Sequence, residues 1–127
     1  ADQLKLPYMY VRPKPKEHGL GNQIEGFYEA GQKVLIIEDL ISTGKSSLQV
    51  VDVAREAGLQ VVGMVSIFTY GFKHADEAFK SKDVRYESLT NYENLVTLAI
   101  EQGIISGGLE KTLLNWRKDP ANWKGIE

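Results

Sequence analysis

The chain has 127 residues, of which 43% are hydrophobic, and its formal net charge at pH 7 is -2. This length and composition suit one globular domain over residues 1–127 with a core of its own. The small net charge gives no general attraction to nucleic acid or to an anionic membrane, so an anion site must be built from local residues. The absence of cysteine excludes disulfides, zinc-thiolate sites and thiol catalysis. No apolar run approaches 18 residues, and we predict a cytoplasmic protein with no membrane or nucleic-acid partner.

The first 26 residues combine a short strand with a long loop. The run from Pro7 to Val11 is aromatic and β-branched and predicts a strand, which Pro13 and Pro15 end because proline lacks an amide donor. Residues 12–26 contain two prolines, three glycines and few large apolar side chains. Long loops of this kind in compact domains are usually functional or disordered. We therefore predict a mobile loop over residues 12–26.

The middle of the chain alternates strand and helix patterns. Val34 to Ile37 and Val61 to Phe68 are continuous apolar runs, as in parallel strands that are buried on both faces. Between them, apolar residues recur every three or four positions from Leu48, and Gly58 suits the end of a helix. This order predicts an α/β fold with a parallel sheet, whose ligands bind beyond the carboxyl ends of the strands.

The sequence from residue 73 onward contains the patterns of one more strand and three helices. The elements in chain order are a short exposed helix over residues 73–82, a strand from Val84 to Leu89, a helix that stops near Gly103, and a last helix from Leu109 to Arg117. Thr90 and Glu93 have the spacing of a capping box and predict where the second helix begins. Tyr92, Trp116 and Trp123 are predicted to pack in the protein rather than to stack on a base.

Two acids and a small-residue loop follow the first apolar run. Glu38 and Asp39 are placed where the predicted strand ends, and they could accept hydrogen bonds from vicinal hydroxyls or hold a divalent cation. Backbone amides of residues 42–46, at the start of the predicted helix, favour a phosphate. A sugar phosphate would suit both groups, with its hydroxyls at the acids and its phosphate at the amides. The alternative interpretation is a strand end at the surface followed by an ordinary turn and helix cap.

The same stretch partly matches a nucleoside triphosphate loop. The letters "GKSS" fit the end of the pattern G-x-x-x-x-G-K-[ST], but the position of its first glycine is occupied by Asp39. No G-x-G-x-x-G follows either predicted strand. Neither a triphosphate loop nor a dinucleotide fingerprint is therefore predicted.

Two motifs resemble those of a known family. "VLIIEDLISTGKSS", residues 34–47, resembles the phosphoribosyl pyrophosphate motif of the type I phosphoribosyltransferases. "YVRPKPKEHG" resembles the mobile catalytic loop of the orotate phosphoribosyltransferases, with Arg12, Lys16, His18 and Gly19 at the family spacing. "IFTYGF" and "LTNYENLVTLAIEQGII" are also similar to segments of these enzymes. The resemblance implies a parallel-sheet type I phosphoribosyltransferase fold, incomplete at the N-terminus, where the pyrophosphate loop and the hood of the family are missing.

The resemblance implies a reaction and a set of site residues. Ribose 5-phosphate would pass from phosphoribosyl pyrophosphate to orotate, giving orotidine 5'-phosphate and pyrophosphate in pyrimidine (UMP) biosynthesis. Lys16 and His18 are the implied catalytic residues, and Ser42 is the implied orotate contact. The implied contacts of phosphoribosyl pyrophosphate are Arg12, Lys16, His18, Glu38, Asp39, Leu40, Ile41, Ser42, Thr43, Gly44, Lys45 and Ser46.

The family also implies a cofactor and a partner. Mg²⁺ would bridge substrate oxygens, with no direct ligand from the protein. A homodimer is implied, in which loop 12–26 reaches the neighbouring site, and the fragment alone is expected to be inactive.

The sequence departs from the family pattern at two places. Many relatives carry a second basic residue where this chain has Pro13, and "TYGF" contains no counterpart of their second base-recognition arginine. Two other functions remain open, namely a purine-type phosphoribosyltransferase and a non-catalytic regulator that senses phosphoribosyl pyrophosphate. The basic residues of the loop favour an enzyme.

Overall fold

The computed structural model describes residues 1–13 and 23–125. Its strands and helices, in chain order, are β1 (Tyr10–Val11), β2 (Ile24–Glu25), β3 (Lys33–Ile41), α1 (Lys45–Glu56), β4 (Gln60–Thr69), α2 (Lys73–Ser81), β5 (Tyr86–Asn91), α3 (Tyr92–Glu101) and α4 (Glu110–Lys118). Among these described helices, none has both the length and the apolar character that crossing a bilayer requires.

Three strands form a parallel sheet in the order β3-β4-β5. The register pairs Ile41 with Thr69 and Thr69 with Asn91, so all three strands reach the same level at their carboxyl ends. Helix α1 connects β3 to β4, as the alternating pattern predicts. The predicted α/β fold is confirmed. In folds of this kind, ligands bind beyond the carboxyl ends of the strands.

The main core lies between this sheet and helices α1 and α2. Ile36 and Met64 from the strands pack with Val51 of α1 and Phe79 of α2. Each such side chain is buried, and full burial of one contributes about 1.5 to 3 kcal/mol to stability. This core fixes the start of α1 against the carboxyl end of β3.

The prediction that β3 and β4 are buried on both faces is wrong. Leu35 and Ile37 of β3 are 52% and 69% exposed, and Val62 and Ile67 of β4 are exposed as well. Successive strand residues point to opposite faces, and α1 and α2 pack on one of them. Within residues 1–13 and 23–125, no element covers the other face to a similar extent.

The predicted loop 12–26 begins and ends in a small hairpin. β1 pairs with β2 in antiparallel register, so the strand predicted over residues 7–11 is reduced to Tyr10–Val11. Ile24 packs with Ala54 and Leu59, which places the hairpin near the end of α1 and the start of β4. Residues 14–22, which include most of the predicted loop, lie outside the described residues.

The helix boundaries follow their predicted signals, with one correction. Gly58 and Gly103 follow α1 and α3 with φ of 79° and 67°, which a glycine adopts without strain. The N-cap of α3 is Asn91 rather than Thr90, because the Asn91 side chain accepts a hydrogen bond from the Asn94 amide at 3.0 Å. Thr90 remains within β5.

Candidate functional site

The loop between β3 and α1 consists of Ser42, Thr43 and Gly44. Gly44 is the N-cap residue of α1, with φ 78° and ψ -4°, and a glycine has no side chain with which to cap the helix. The Thr43 hydroxyl accepts from the Lys45 amide at 3.4 Å, which is a weak contact. The amides of the first turn therefore remain suited to an anion, and the helix dipole favours one there.

Gly44 is required by both conformation and space. Its positive φ is unfavourable for other residues, and a Cβ at this position would lie 2.8 Å from Cε2 of the buried Phe79. The close contact between loop and core holds the first turn of α1 at the sheet edge.

Gly44→Ala is expected to lower the free energy of unfolding by about 2 kcal/mol or more, because it adds backbone strain and a core clash. Urea unfolding monitored by circular dichroism measures the loss. Gly31→Ala is the matched control, since Gly31 has φ +87° but a Cβ at this position would meet no atom of the described residues within 4 Å. Equal losses in the two variants would contradict the packing role of Phe79.

Glu38 is half-buried on the α1 side of the sheet. Burial raises the pKa of its carboxyl, the Ser47 hydroxyl lowers that pKa, and the neighbouring Asp39 raises it. Because the pKa is raised, protonation of Glu38 stabilises the fold as the pH falls. The ionised form lacks part of its hydration, and hydroxyl donors on a ligand would satisfy it.

Asp39 and the two residues after it complete the strand end. Asp39 is exposed, and its Oδ1 accepts a hydrogen bond from the Leu40 amide at 2.6 Å. Ile41 has no exposed side-chain surface, and its carbonyl accepts from the Tyr70 amide and the Thr69 hydroxyl. A ligand contact by Ile41 would therefore be made by its backbone.

The fold brings one group of predicted site residues together and leaves another apart. Residues 38–46 share the carboxyl edge of the sheet. Arg12 lies on the hairpin, where its Nη1 is 3.0 Å from Oε1 of Glu25. Lys16 and His18 are outside the described residues.

An aromatic cluster borders the carboxyl end of β4. The Tyr70 ring stacks on Phe72 with centroids 5.3 Å apart, and it contacts Phe68, Tyr92 and Trp116. Tyr92 and Trp116 thus pack in this cluster as predicted, whereas Trp123 is 37% exposed. Arg117 follows Trp116 on α4, and its guanidinium lies against Gly71. Arg117 was not identified as a candidate site residue from the sequence alone.

The parallel sheet carries two acids and a helix N-terminus at one edge, an arrangement that suits a phosphorylated sugar. Residues 1–101 match the model of the phosphoribosyl transferase domain. The chain belongs to this family and has the type I phosphoribosyltransferase fold.

Curated relatives are similar over nearly the whole chain. The orotate phosphoribosyltransferase of Bacteroides thetaiotaomicron is 52% identical over 97% of this chain and 58% of its own length. That of Cytophaga hutchinsonii is 46% identical over 98% of this chain and 59% of its own length. The chain thus spans somewhat more than half the length of these relatives.

Three solved structures of related enzymes superpose on this chain. Orotate phosphoribosyltransferase from Aeropyrum pernix superposes with a TM-score of 0.66 at 29% identity, over 82% of this chain and 56% of that one. Leishmania donovani UMP synthase gives a TM-score of 0.72 at 26% identity, over 91% of this chain and 25% of that one. The Mycobacterium tuberculosis orotate phosphoribosyltransferase, solved in complex with 5-phospho-α-D-ribosyl 1-diphosphate, gives 0.53 at 34% identity, over 57% and 43%.

Proposed function

We propose that a protein of the relatives' length that contains this chain, below called the full-length protein, is an orotate phosphoribosyltransferase. It would act in UMP biosynthesis in the cytoplasm. The observation that carries the proposal is the position of Glu38 and Asp39, directly before a helix N-terminus whose cap residue is Gly44. The names of the relatives support orotate as the base.

The 5-phosphate of phosphoribosyl pyrophosphate would bind the amides and hydroxyls of residues 42–46. Glu38 and Asp39 would accept hydrogen bonds from the ribose hydroxyls and stabilise the positive charge that develops on the sugar. Leu40, whose side chain is partly exposed, would pack beside the ribose, and Ile41 would contribute backbone contacts. Ser42 would contact orotate. Each role depends on the shared strand edge.

The basic loop residues would act on the leaving group. Arg12, Lys16 and His18 would bind the pyrophosphate, where negative charge increases as the bond to the anomeric carbon breaks. Lys16 and His18 are proposed as the catalytic residues, because they would interact with the departing oxygens. Closure of the loop would also exclude water from the activated sugar.

Mg²⁺ is the proposed cofactor. Within residues 1–13 and 23–125, no group of three histidine or acidic side chains is placed to hold a metal ion. The hard oxygens of pyrophosphate and ribose suit Mg²⁺, which keeps much of its coordination for substrate and water. When bound, the ion would neutralise charge on the pyrophosphate, while Glu38 and Asp39 would orient the ribose beside it.

A homodimer is also proposed, in which loop 12–26 reaches the site of a neighbouring subunit. The loop extends from the hairpin of β1 and β2, and this hairpin packs with Val34 near the amino end of β3. The turn of residues 42–46, below called the phosphate turn, follows the opposite end of that strand. The separation of the two supports a loop that serves a second subunit.

Turnover of different bases by the full-length protein tests the proposed function. With phosphoribosyl pyrophosphate and Mg²⁺, orotate is expected to be consumed and adenine, guanine and hypoxanthine to be left unchanged. Consumption of a purine base instead would establish the purine-type alternative. Tight binding of the sugar pyrophosphate with no turnover of any base would favour the regulator.

A further inference from the structure

Arg117 lies beside the backbone at the carboxyl end of β4. A Cβ built on Gly71 would be 3.1 Å from Nη1 of Arg117, so the guanidinium is in contact with this turn. Burial and the neighbouring Tyr70 raise the pKa of Tyr92, and Arg117 lowers it, which places the arginine charge close to that phenol as well. Arg117 therefore joins the aromatic cluster as its charged member.

This group is adjacent to the phosphate turn. The Tyr70 amide donates to the Ile41 carbonyl at 3.1 Å, and Ser42 is the next residue after Ile41. The Gly71 amide donates to the Thr69 hydroxyl at 3.1 Å, which fixes the turn that Arg117 contacts. The same edge of the sheet thus presents both the amides of the phosphate turn and the Arg117 guanidinium.

Arg117 is held in place and keeps donors for a ligand. Its side chain is 24% exposed, and Nη2 forms an ion pair with Glu93, whose side chain is 57% exposed. A guanidinium has five N–H donors in a planar fork, so one carboxylate does not exhaust it. Lys73, which begins α2 just after this turn, is by contrast 91% exposed and pairs with Glu77.

We propose that Arg117 binds the carboxylate of orotate and thereby selects orotate over uracil. The inference rests on the proposed function. Orotate differs from uracil by one carboxylate on the ring, so a cation placed at the base would favour orotate. A partly buried guanidinium binds a carboxylate with directed, charge-assisted hydrogen bonds, and it lies on the same edge as Ser42.

The test compares orotate and uracil as substrates of the full-length protein. In Arg117→Gln, kcat/KM for orotate is expected to fall about tenfold to a hundredfold, as for the loss of a charged hydrogen bond. The value for uracil and the KM for phosphoribosyl pyrophosphate are expected to stay within about twofold of wild type. Lys118→Gln, one residue further on α4, is the matched control and is expected to change neither base.

The ratio of the two kcat/KM values separates recognition from structural damage. A general disturbance of the site would lower turnover of both bases equally and leave the ratio unchanged, and that result would overturn the inference. Arg117→Lys keeps the charge and is expected to restore part of the preference. If wild-type protein does not use orotate at all, the proposed function fails, whereas wild-type turnover with an unchanged ratio in Arg117→Gln rejects only the role of Arg117.

Discussion

Asp39→Asn is expected to weaken the binding of phosphoribosyl pyrophosphate to the full-length protein about tenfold or more, because it removes a charge-assisted hydrogen bond to a ribose hydroxyl. The fold is expected to persist, since an asparagine oxygen can still accept the bond from the Leu40 amide. Calorimetric titration of the sugar pyrophosphate measures the affinity.

Glu56→Gln is the matched control for this change. Glu56 is the last residue of α1, at the end of the helix opposite the phosphate turn, and it is exposed. Its neutralisation removes the same charge from the protein and is expected to leave the affinity within about twofold of wild type. Equal losses in both variants would indicate a general charge effect, and no loss in Asp39→Asn would reject the ribose assignment.

Mixing two inactive variants is expected to recover activity. Lys16→Ala removes a charge from the leaving-group side and Asp39→Asn damages the ribose side, and each alone is expected to lower turnover about a hundredfold or more. If loop 12–26 enters the neighbouring site, a mixed dimer has one site with both residues intact. Orotate consumption is then expected to approach about a quarter of the wild-type rate, given random pairing of subunits.

The double variant Lys16→Ala, Asp39→Asn mixed with wild-type protein provides the comparison. In that mixture every site of a mixed dimer carries one damaged residue, so no site beyond those of wild-type dimers is intact. Subunit exchange is verified with differently tagged chains. Absence of recovery in the first mixture, with exchange verified, would show that each loop serves its own subunit.

Much of the fold follows from local patterns. The apolar runs at residues 34–37 and 61–68 locate β3 and β4, and the three- and four-residue spacing from Leu48 locates α1. Gly58 marks the end of that helix because it adopts a positive φ. The phosphate turn could also be located from neighbouring residues, because Ser42, Thr43 and Gly44 come directly before the first turn of α1.

Features that depend on distant contacts could not be obtained in this way. Leu35 and Ile37 are exposed because little of the described part of the chain packs on the second face of the sheet. The sequence of a strand does not show which elements will cover each of its faces. The contact of Arg117 with Gly71 requires α4 to fold back on β4. Asn91, and not the predicted Thr90, caps α3 because β5 extends to Asn91. The exact end of an element is harder to predict from sequence than its presence.

The central claim is that residues 42–46 bind the 5-phosphate, and amide chemical shifts test it most directly. Ribose 5-phosphate titrated into isotope-labelled full-length protein is expected to give saturable shifts that are largest at the amides of Thr43, Gly44, Lys45 and Ser46. Ribose without the phosphate is expected to leave these amides nearly unchanged. Saturable shifts confined to another part of the protein, or none at this turn with the ligand in excess, would contradict the account.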